Sequence, residues 1–304
     1  MNWEKKGLIY HPPFNKSWRD NSALTPTPFL INDKTIRVYS GFRDIDGVSR
    51  IGFTDLSSEN PTQILKVSEK PVLDVGKRGH FDDNGVILGD VLRLKNKVLM
   101  YYVGFQIVEK VKFLAYTGLA MSKDNGNSFK RVQTTPVLDR KPNSVFFNAI
   151  HTAINDGNLI KCWLGAGSSW QKINGTNYPS YNVKYCESVD GVNFEAKSID
   201  CLNFKNKKEY RIGRPRVWKS DMGYEMIFTW GDKVGHYQMG YAKSIDGKKW
   251  ERDDEKLNFY PSNKGWDSKW VSYGVPIHVN GKTYMFYNGN NMGREGFGLA
   301  ILKK

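Results

Sequence analysis

One aromatic, strand-like segment recurs along the chain, and its spacing restricts the fold more than any other feature. It reads "TIRVYSGF" (35–42), "KVLMYYVGF" (97–105), "LIKCWLGAG" (159–167), "YEMIFTWGD" (224–232) and "KTYMFYNGN" (282–290). The starts lie 62, 62, 65 and 58 residues apart. A near-constant period of this size marks repeated supersecondary units, each burying one face against the next. A second segment follows three of them: "GLAMSKDNGNSF" (118–129), "VKYCESVDGVNF" (183–194) and "MGYAKSIDGKKW" (239–250). Each reads as a strand ending in serine, a tight turn on Asp-Gly or Asp-Asn-Gly, and an aromatic opening the return strand. Asp and Gly supply the local hydrogen bonds and the positive φ that such hairpins need.

No long run has a 3.6-residue period, and turn residues interrupt the chain every ten or so positions, so the chain reads as all-β. About four strands per repeat predict a five-bladed β-propeller rather than a sandwich. It would form one domain over 1–304, with blades at 18–58, 78–131, 144–197, 209–252 and 265–304. The last repeat stops one strand short, and "WEKKGLIYHP" near the N-terminus is expected to complete it within residues 1–10.

The bulk numbers narrow the function classes. With 39% hydrophobic and 13% aromatic residues the chain builds a substantial core, and no apolar run reaches membrane-helix length. "MNWEKKGLIYHPPF" carries no apolar leader, which makes a cytoplasmic location the expectation. The net charge is +14, yet the lysines are spread over "WEKKG", "FKNKKEY" and "DGKKW". That spread argues against nucleic acid as the partner and is compatible with an anionic small substrate. Cys162, Cys186 and Cys201 are odd in number and lack metal-ligand spacing, so neither a disulfide framework, a metal nor a cofactor is expected. "NGT" at Asn174 reads as a chance match to a glycosylation sequon.

In a propeller the innermost strand of each blade lines a central channel. Counting one hairpin back from each aromatic strand gives "WRDNSALTPTPFLI" (18–31), "HFDDNGVILGDVL" (80–92), "SVFFNAIHTAI" (144–154), "EYRIGRPRVW" (209–218) and "GWDSKWVSYGVPIHV" (265–279). Polar groups crowd their beginnings: Asp20 and Asn21, Asp82 and Asp83, Asn148 and His151, Glu209, Arg211, Arg214 and Arg216, Asp267 and Lys269. Arg43 and Asn288 close the first and last aromatic strands. Converging polar groups at one end of a channel form the expected site. Trp170 and Trp266, in polar Gly/Ser-rich surroundings, are the candidate sugar-stacking aromatics.

These segments resemble the five-bladed propellers of glycoside hydrolase families 43, 32 and 130. "LTPTPFLINDKTIRVYSGFRD" is similar to the family 130 opening, and "DDNGVILGDVLRLKNKVLMYYVGF" to its segment of acids before a tyrosine-rich strand. That likeness implies Asp83 as the catalytic acid. "GRPRV", "GYAKSIDGKKWER", "GWDSKWVSYG" and "YMFYNGNNMGREGFGLA" are similar to bacterial glycosyl-hydrolase-like propellers encoded near surface-polysaccharide genes. The sequence departs from family 43 at two of its acids: the middle blade reads "FFNAIHTAI", and the Glu-Gly-Pro turn reads Gly213-Arg214-Pro215, with Glu209 the nearest carboxylate. "SKDNGNSF" fits an Asp-box, a folding motif remote from any active site.

The resemblance implies an enzyme acting on a glycosidic bond of a surface glycan or an anionic or phosphorylated sugar. Asp83 would be the acid, and Asp20 the base or orienting group, with Glu209 as a further carboxylate. The basic residues, with Asp82, Asn21, Asn148, Asp267 and Asn288, would hold substrate. Phosphorolysis, in which such a basic cluster binds phosphate, transfer from a nucleotide-linked sugar, and non-catalytic sugar binding are the alternatives.

Overall fold

A computed structural model describes residues 1–195 and 198–303; the expected repeat ends at 197 and 304 lie outside the described residues. The chain opens with β1 (Trp3–Tyr10) and then runs through four-stranded antiparallel sets. The first is β2 (Asn21–Asn32), β3 (Thr35–Arg43), β4 (Ser49–Ser57) and β5 (Ile64–Val67). The second is β6 (Val86–Leu94), β7 (Lys97–Gln106), β8 (Leu114–Ser122) and β9 (Lys130–Arg131). Next come β10 (Phe147–Asp156), β11 (Leu159–Ile173), β12 (Thr176–Ser188) and β13 (Ile199–Leu202), then β14 (Glu209–Ser220), β15 (Gly223–Asp232), β16 (Tyr237–Ser244) and β17 (Glu251–Arg252). After the short helix α1 (Asp254–Leu257) follow β18 (Ser272–Val279), β19 (Lys282–Asn288), the helical turn α2 (Asn290–Gly293) and β20 (Phe297–Leu302). β1 pairs with β20, from Trp3 against Leu302 to Tyr10 against Phe297, and so supplies the fourth strand that the last repeat lacks. Among the described residues no helix is long and apolar enough to cross a membrane.

Apolar clusters lie between consecutive sets. Tyr39 and Phe53 meet Met100, Tyr102 and Phe129. At the other end of the chain Ile36, Val38 and Phe42 meet Tyr284, Phe286 and Leu299, which joins the last set to the first. Side chains of this size each gain about 1.5–3 kcal/mol on full burial, so these inter-set seams carry the stability. Asn288 fastens the same junction: its Oδ1 accepts Thr25 N–H at 2.8 Å and its Nδ2 donates to Ala23 O and Gly296 O at 2.9 Å.

The two repeated sequence segments prove to be one device. In each Asp-Gly hairpin the serine hydroxyl and the Asp carboxylate gather the turn's N–H groups, as Ser188 and Asp190 do for Gly191, Val192 and Asn193. The turn's glycine carbonyl then faces the preceding set. Tyr39 Oη donates to Gly126 O at 2.7 Å, Tyr101 Oη to Gly191 O at 2.9 Å and Trp163 Nε1 to Gly247 O at 2.7 Å. These three donors occupy the fifth position of the aromatic segment. The other two segments carry Phe228 and Phe286 at that position, and the set after each of them lacks the repeated hairpin sequence. At this position a polar-tipped aromatic stands where a hairpin carbonyl meets it, and phenylalanine where none does. The tip of the β11–β12 hairpin is Asn174-Gly175, both at positive φ (48° and 82°), so that "NGT" is explained as turn chemistry. Cys162, Cys186 and Cys201 are free thiols.

Candidate active site

The innermost strands of the sets are β2, β6, β10, β14 and β18, and β6, β10 and β14 begin at the same end because β10 runs parallel to β8 and β14 parallel to β12. Each breaks register part-way along: between Leu24 and Thr27, Leu88 and Asp90, Ile150 and Thr152, Gly213 and Arg216, and Ser272 and Val275. Such bulges kink a strand and re-aim the side chain at the break. Thr25, Arg214 and Tyr273 sit there at φ of 52°, 54° and 59°, a conformation that costs a non-glycine residue energy and concentrates at functional sites. Gly89 holds the corresponding place on β6, where a Cβ would meet Ile150 O at 2.2 Å and Tyr101 O at 2.6 Å.

Arg214 crosses the axis. It is 3% exposed, and its Nη2 donates to Thr25 O at 3.0 Å and Thr27 Oγ1 at 2.7 Å. Its Nη1 donates to Leu88 O and to Gly89 O at 3.1 Å and lies 3.2 Å from His151 Nδ1. Burial, reinforced by Arg216, pushes its pKa down to about 9, which leaves it charged at neutral pH. Arg216 donates to His151 O and pairs with Asp90 at 2.8 Å. Burial, followed by Arg214 and Arg216, holds the His151 imidazole well below its ordinary pKa and so neutral. These groups form a polar plug that ties the innermost strands together across the channel.

At the mouth above the plug the electrostatics change. Arg43 and Arg211 are both within electrostatic reach of the Tyr273 phenol, and Tyr181, Tyr210 and Tyr237 lie about Arg211. Arg211 Cζ lies 4.1 Å from the Tyr237 ring centre and 4.7 Å from that of Tyr210. Tyr181 is the ladder partner of Arg211 across β12 and β14, and it stacks on Phe147 at 4.3 Å. The Nε atoms of Arg43 and Arg211 are buried without a hydrogen-bond partner. Neither arginine is in an ion pair with a carboxylate among the described residues. Burial lowers the pKa of Arg43. It also opposes the charge on Arg211, but the surrounding phenols outweigh it and that pKa lies above the ordinary value. Burial raises the pKa of Tyr273, against the pull of Arg211, Arg43 and Arg214, so its hydroxyl is a hydrogen-bond donor at neutral pH. Two guanidiniums and a phenolic donor without a counter-ion suit an oxyanion such as a carboxylate or phosphate.

The strand-start carboxylates behave differently, and the expectation that they face the channel is corrected for three of them. Asp82 lies in the turn ahead of β6, fully buried, and accepts from Tyr102 Oη at 3.0 Å and Arg131 Nε at 2.7 Å. Asp267 accepts from Tyr287 Oη at 3.0 Å and Lys5 Nζ at 2.6 Å. Glu209 is gripped through both oxygens by Arg252 at 2.8 and 2.9 Å. Each acid reaches outward to a cation on the fourth strand of its own set, because a carboxylate this buried needs one. Asp20 caps its own loop, accepting from Lys16 N–H at 2.5 Å and Asn21 Nδ2 at 3.3 Å. Asp83 takes Gly79 N–H at 2.8 Å on one oxygen, while the other is buried without a partner.

The remaining candidates are also structural in their contacts. Asn148 is fully buried and donates to Asp139 O at 3.0 Å and Ser144 O at 2.5 Å. Trp266 packs on Tyr287 at 5.0 Å, and Trp170 on Phe146 at 4.9 Å. Lys269 is exposed, with its backbone N–H on Asn290. Asn21 bridges Asp20 and Asp44 O. Sequence reasoning missed Tyr273, Tyr210, Tyr237 and Asp90. A signal for Tyr273 was present: Pro26, Gly89, Pro215 and Gly274 stand at four of the five register breaks, where Pro or Gly inside a strand marks a bulge.

Three comparisons place the protein among known ones. No family model matches it. Among solved structures it resembles one described as a BT0996 RGII complex, with a TM-score of 0.74 and 18% identity, covering 99% of this protein and 91% of that one. It also resembles a GH130-family structure described as targeting β-1,2 mannosidic linkages in Candida mannan (TM-score 0.69, 14% identity, 99% and 94% covered). A third is the Bombyx mori GH32 β-fructofuranosidase BmSUC1 (TM-score 0.63, 15% identity, 97% and 61% covered). The resemblance to glycoside hydrolase propellers read from the sequence therefore holds at the level of fold. Among curated sequences, uncharacterized protein Rv1502 of Mycobacterium tuberculosis is 30% identical over 305 aligned residues, covering all of both proteins. The chain therefore belongs to the same family as this mycobacterial protein, on the propeller fold of the glycoside hydrolases.

Proposed function

We propose that the chain is a single five-bladed propeller domain over residues 1–304 that acts on a glycosidic bond in an anionic saccharide. Arg43, Arg211 and Tyr273 would hold the anionic group. The observation that carries the reading is the pair of half-buried arginines at the mouth, each with a buried Nε that lacks a partner and with no carboxylate to neutralise it. The fold supports a sugar substrate, since the solved structures it resembles include glycosidases. The sequence likeness to propellers encoded near surface-polysaccharide genes favours a bacterial surface glycan.

Asp83 is the carboxyl group we assign as acid, because one of its oxygens is buried and unpartnered. Its proton would pass to the glycosidic oxygen as the bond to the anomeric carbon breaks, with the electron pair staying on that oxygen. A water oxygen would then bond to the anomeric carbon and lose its proton to Asp20. A second reading follows from the ties that engage Glu209, Asp82 and Asp267. With carboxylates scarce at the mouth, phosphate held by Arg43 and Arg211 would serve as the nucleophile and need no base. A nucleotide-linked sugar as donor, or sugar binding without turnover, would use the same arginines.

The test is thermal-shift and calorimetric titration with neutral monosaccharides, with galacturonate and with inorganic phosphate. Galacturonate or phosphate should bind the native protein and fail to bind Arg211→Gln, whereas neutral sugars binding as well as anionic ones would overturn the reading. Retained sugar binding with lost turnover in Asp83→Asn supports the enzyme. Stabilisation by phosphate alone favours phosphorolysis.

A further inference from the structure

The lysines that look scattered in the sequence gather when the chain folds. In each set the connection into the innermost strand and the turn between the second and third strands lie at the same end, the one that holds Arg43 and Arg211. Backbone contacts join those connections side by side. Lys112 N–H donates to Asn177 O at 3.1 Å, Asn177 Nδ2 to Lys110 O at 3.4 Å, Ser180 Oγ to Tyr210 O at 2.6 Å, and Lys233 N–H to Lys208 O at 3.3 Å. Lys110, Lys112, Lys205, Lys207, Lys208 and Lys233 therefore share one sector of the rim, beside Arg211, and all six side chains are exposed.

Charge balance separates this sector from the rest of the surface. The lysines in ion pairs lie elsewhere: Lys161 and Lys219 with Asp156, Lys243 with Glu251, Lys248 with Glu187. Among the described residues none of the six rim lysines is in an ion pair. Against these six stand the exposed Glu109 beside Lys110 and Asp232, whose carboxylate is hydrogen-bonded to His236 at 2.9 Å. Crowding like charges on one rim opposes folding through self-repulsion, and nothing in the packing of these loops requires it.

We infer that this rim binds a saccharide chain bearing a negative charge on successive residues, laid across Lys205–Lys208 and Lys233 so that one anionic group reaches Arg211 and Arg43. The inference rests on the reading of the two arginines as an anion site and extends it from one charge to a series of them. The lysines border the phenol-lined mouth, so an anionic group held by Arg211 and Arg43 would leave the next residue of the chain over the rim.

Galacturonate and its dimer, tetramer and hexamer provide a ladder of one carboxylate per residue, titrated by calorimetry at two salt concentrations. Affinity should rise at least ~10-fold from monomer to hexamer, with a steeper salt dependence for the longer saccharide, as expected when several ion contacts form together. A variant carrying Lys205→Gln, Lys207→Gln and Lys208→Gln, with its melting temperature unchanged, should keep monomer binding and lose the gain with length. A hexamer no tighter than the monomer, or a full gain in the triple variant, overturns the rim inference while leaving the arginine site standing. Monomer binding that survives in both Arg211→Gln and Arg211→Lys overturns the arginine site itself. Single-stranded DNA of equal charge binding as tightly as the hexamer would reassign the rim to nucleic acid and overturn the saccharide.

Discussion

The strand-start carboxylates and the mouth arginines lie at the same end of the sets, at the head of an inner strand or, for Arg43, at the end of the strand beside it, and the fold treats them in opposite ways. Asp82, Glu209 and Asp267 are each closed off by a cation on their own fourth strand, Arg131, Arg252 and Lys5. Arg43 and Arg211 have phenols about them and, among the described residues, no acid in an ion pair. A buried charge with a partner is a structural tie; a half-buried guanidinium without one keeps its donors free for a ligand that supplies the counter-charge. The difference separates the residues that hold the sets together from those left to recognise something else.

The largest effect should come from breaking a tie. Arg252→Met leaves the Glu209 carboxylate buried and unpaired and should cost about 3–5 kcal/mol in urea unfolding; a loss below about 1 kcal/mol would show that Glu209 is solvated and free for chemistry.

The plug should show itself through pH. His151 has a folded pKa below its ordinary 6.5, so the stability tied to its neutral form is complete above that value. It is lost as pH falls toward the folded value, because the unfolded chain takes up the proton first. Native protein should therefore lose stability at up to about 1.4 kcal/mol per pH unit below that point, and His151→Gln should lack this component. Identical pH profiles for the two proteins would remove His151 from the plug.

Smaller still is the latch between sets. Tyr101→Phe removes only the hydroxyl that satisfies Gly191 O and should cost about 1–3 kcal/mol, while Phe286→Tyr should gain nothing, having no hairpin carbonyl to reach. No measurable loss at Tyr101→Phe would mean the hydroxyl bond is not what matters.

The smallest stability change belongs to the mouth. Arg211→Gln should alter unfolding by about 1 kcal/mol or less yet abolish anion binding, as read by calorimetry. A large destabilisation with binding intact would move Arg211 into the structural class.

Much of the architecture was legible because it depends on local, repeated chemistry. The period of the aromatic segment, the Asp-Gly turns and the missing last strand each record a contact that recurs from copy to copy. Alternating burial along a strand and positive φ at a turn are set by residues within a few positions of one another. The sequence by itself therefore determined an all-β repeat protein, its strand-completing N-terminus, and a pool of charged residues at the heads of its inner strands. Which of those charges serve recognition was decided by tertiary structure alone. Asp82 finds Arg131 49 residues away, and Asp267 finds Lys5 only because β1 joins β20. Tyr273 reaches the mouth through a bulge whose direction no local pattern records, and the rim lysines become a cluster only when loops from separate repeats come side by side. A partner's distance through space controls its electrostatic effect, and in a closed ring of repeats that distance bears little relation to separation along the chain.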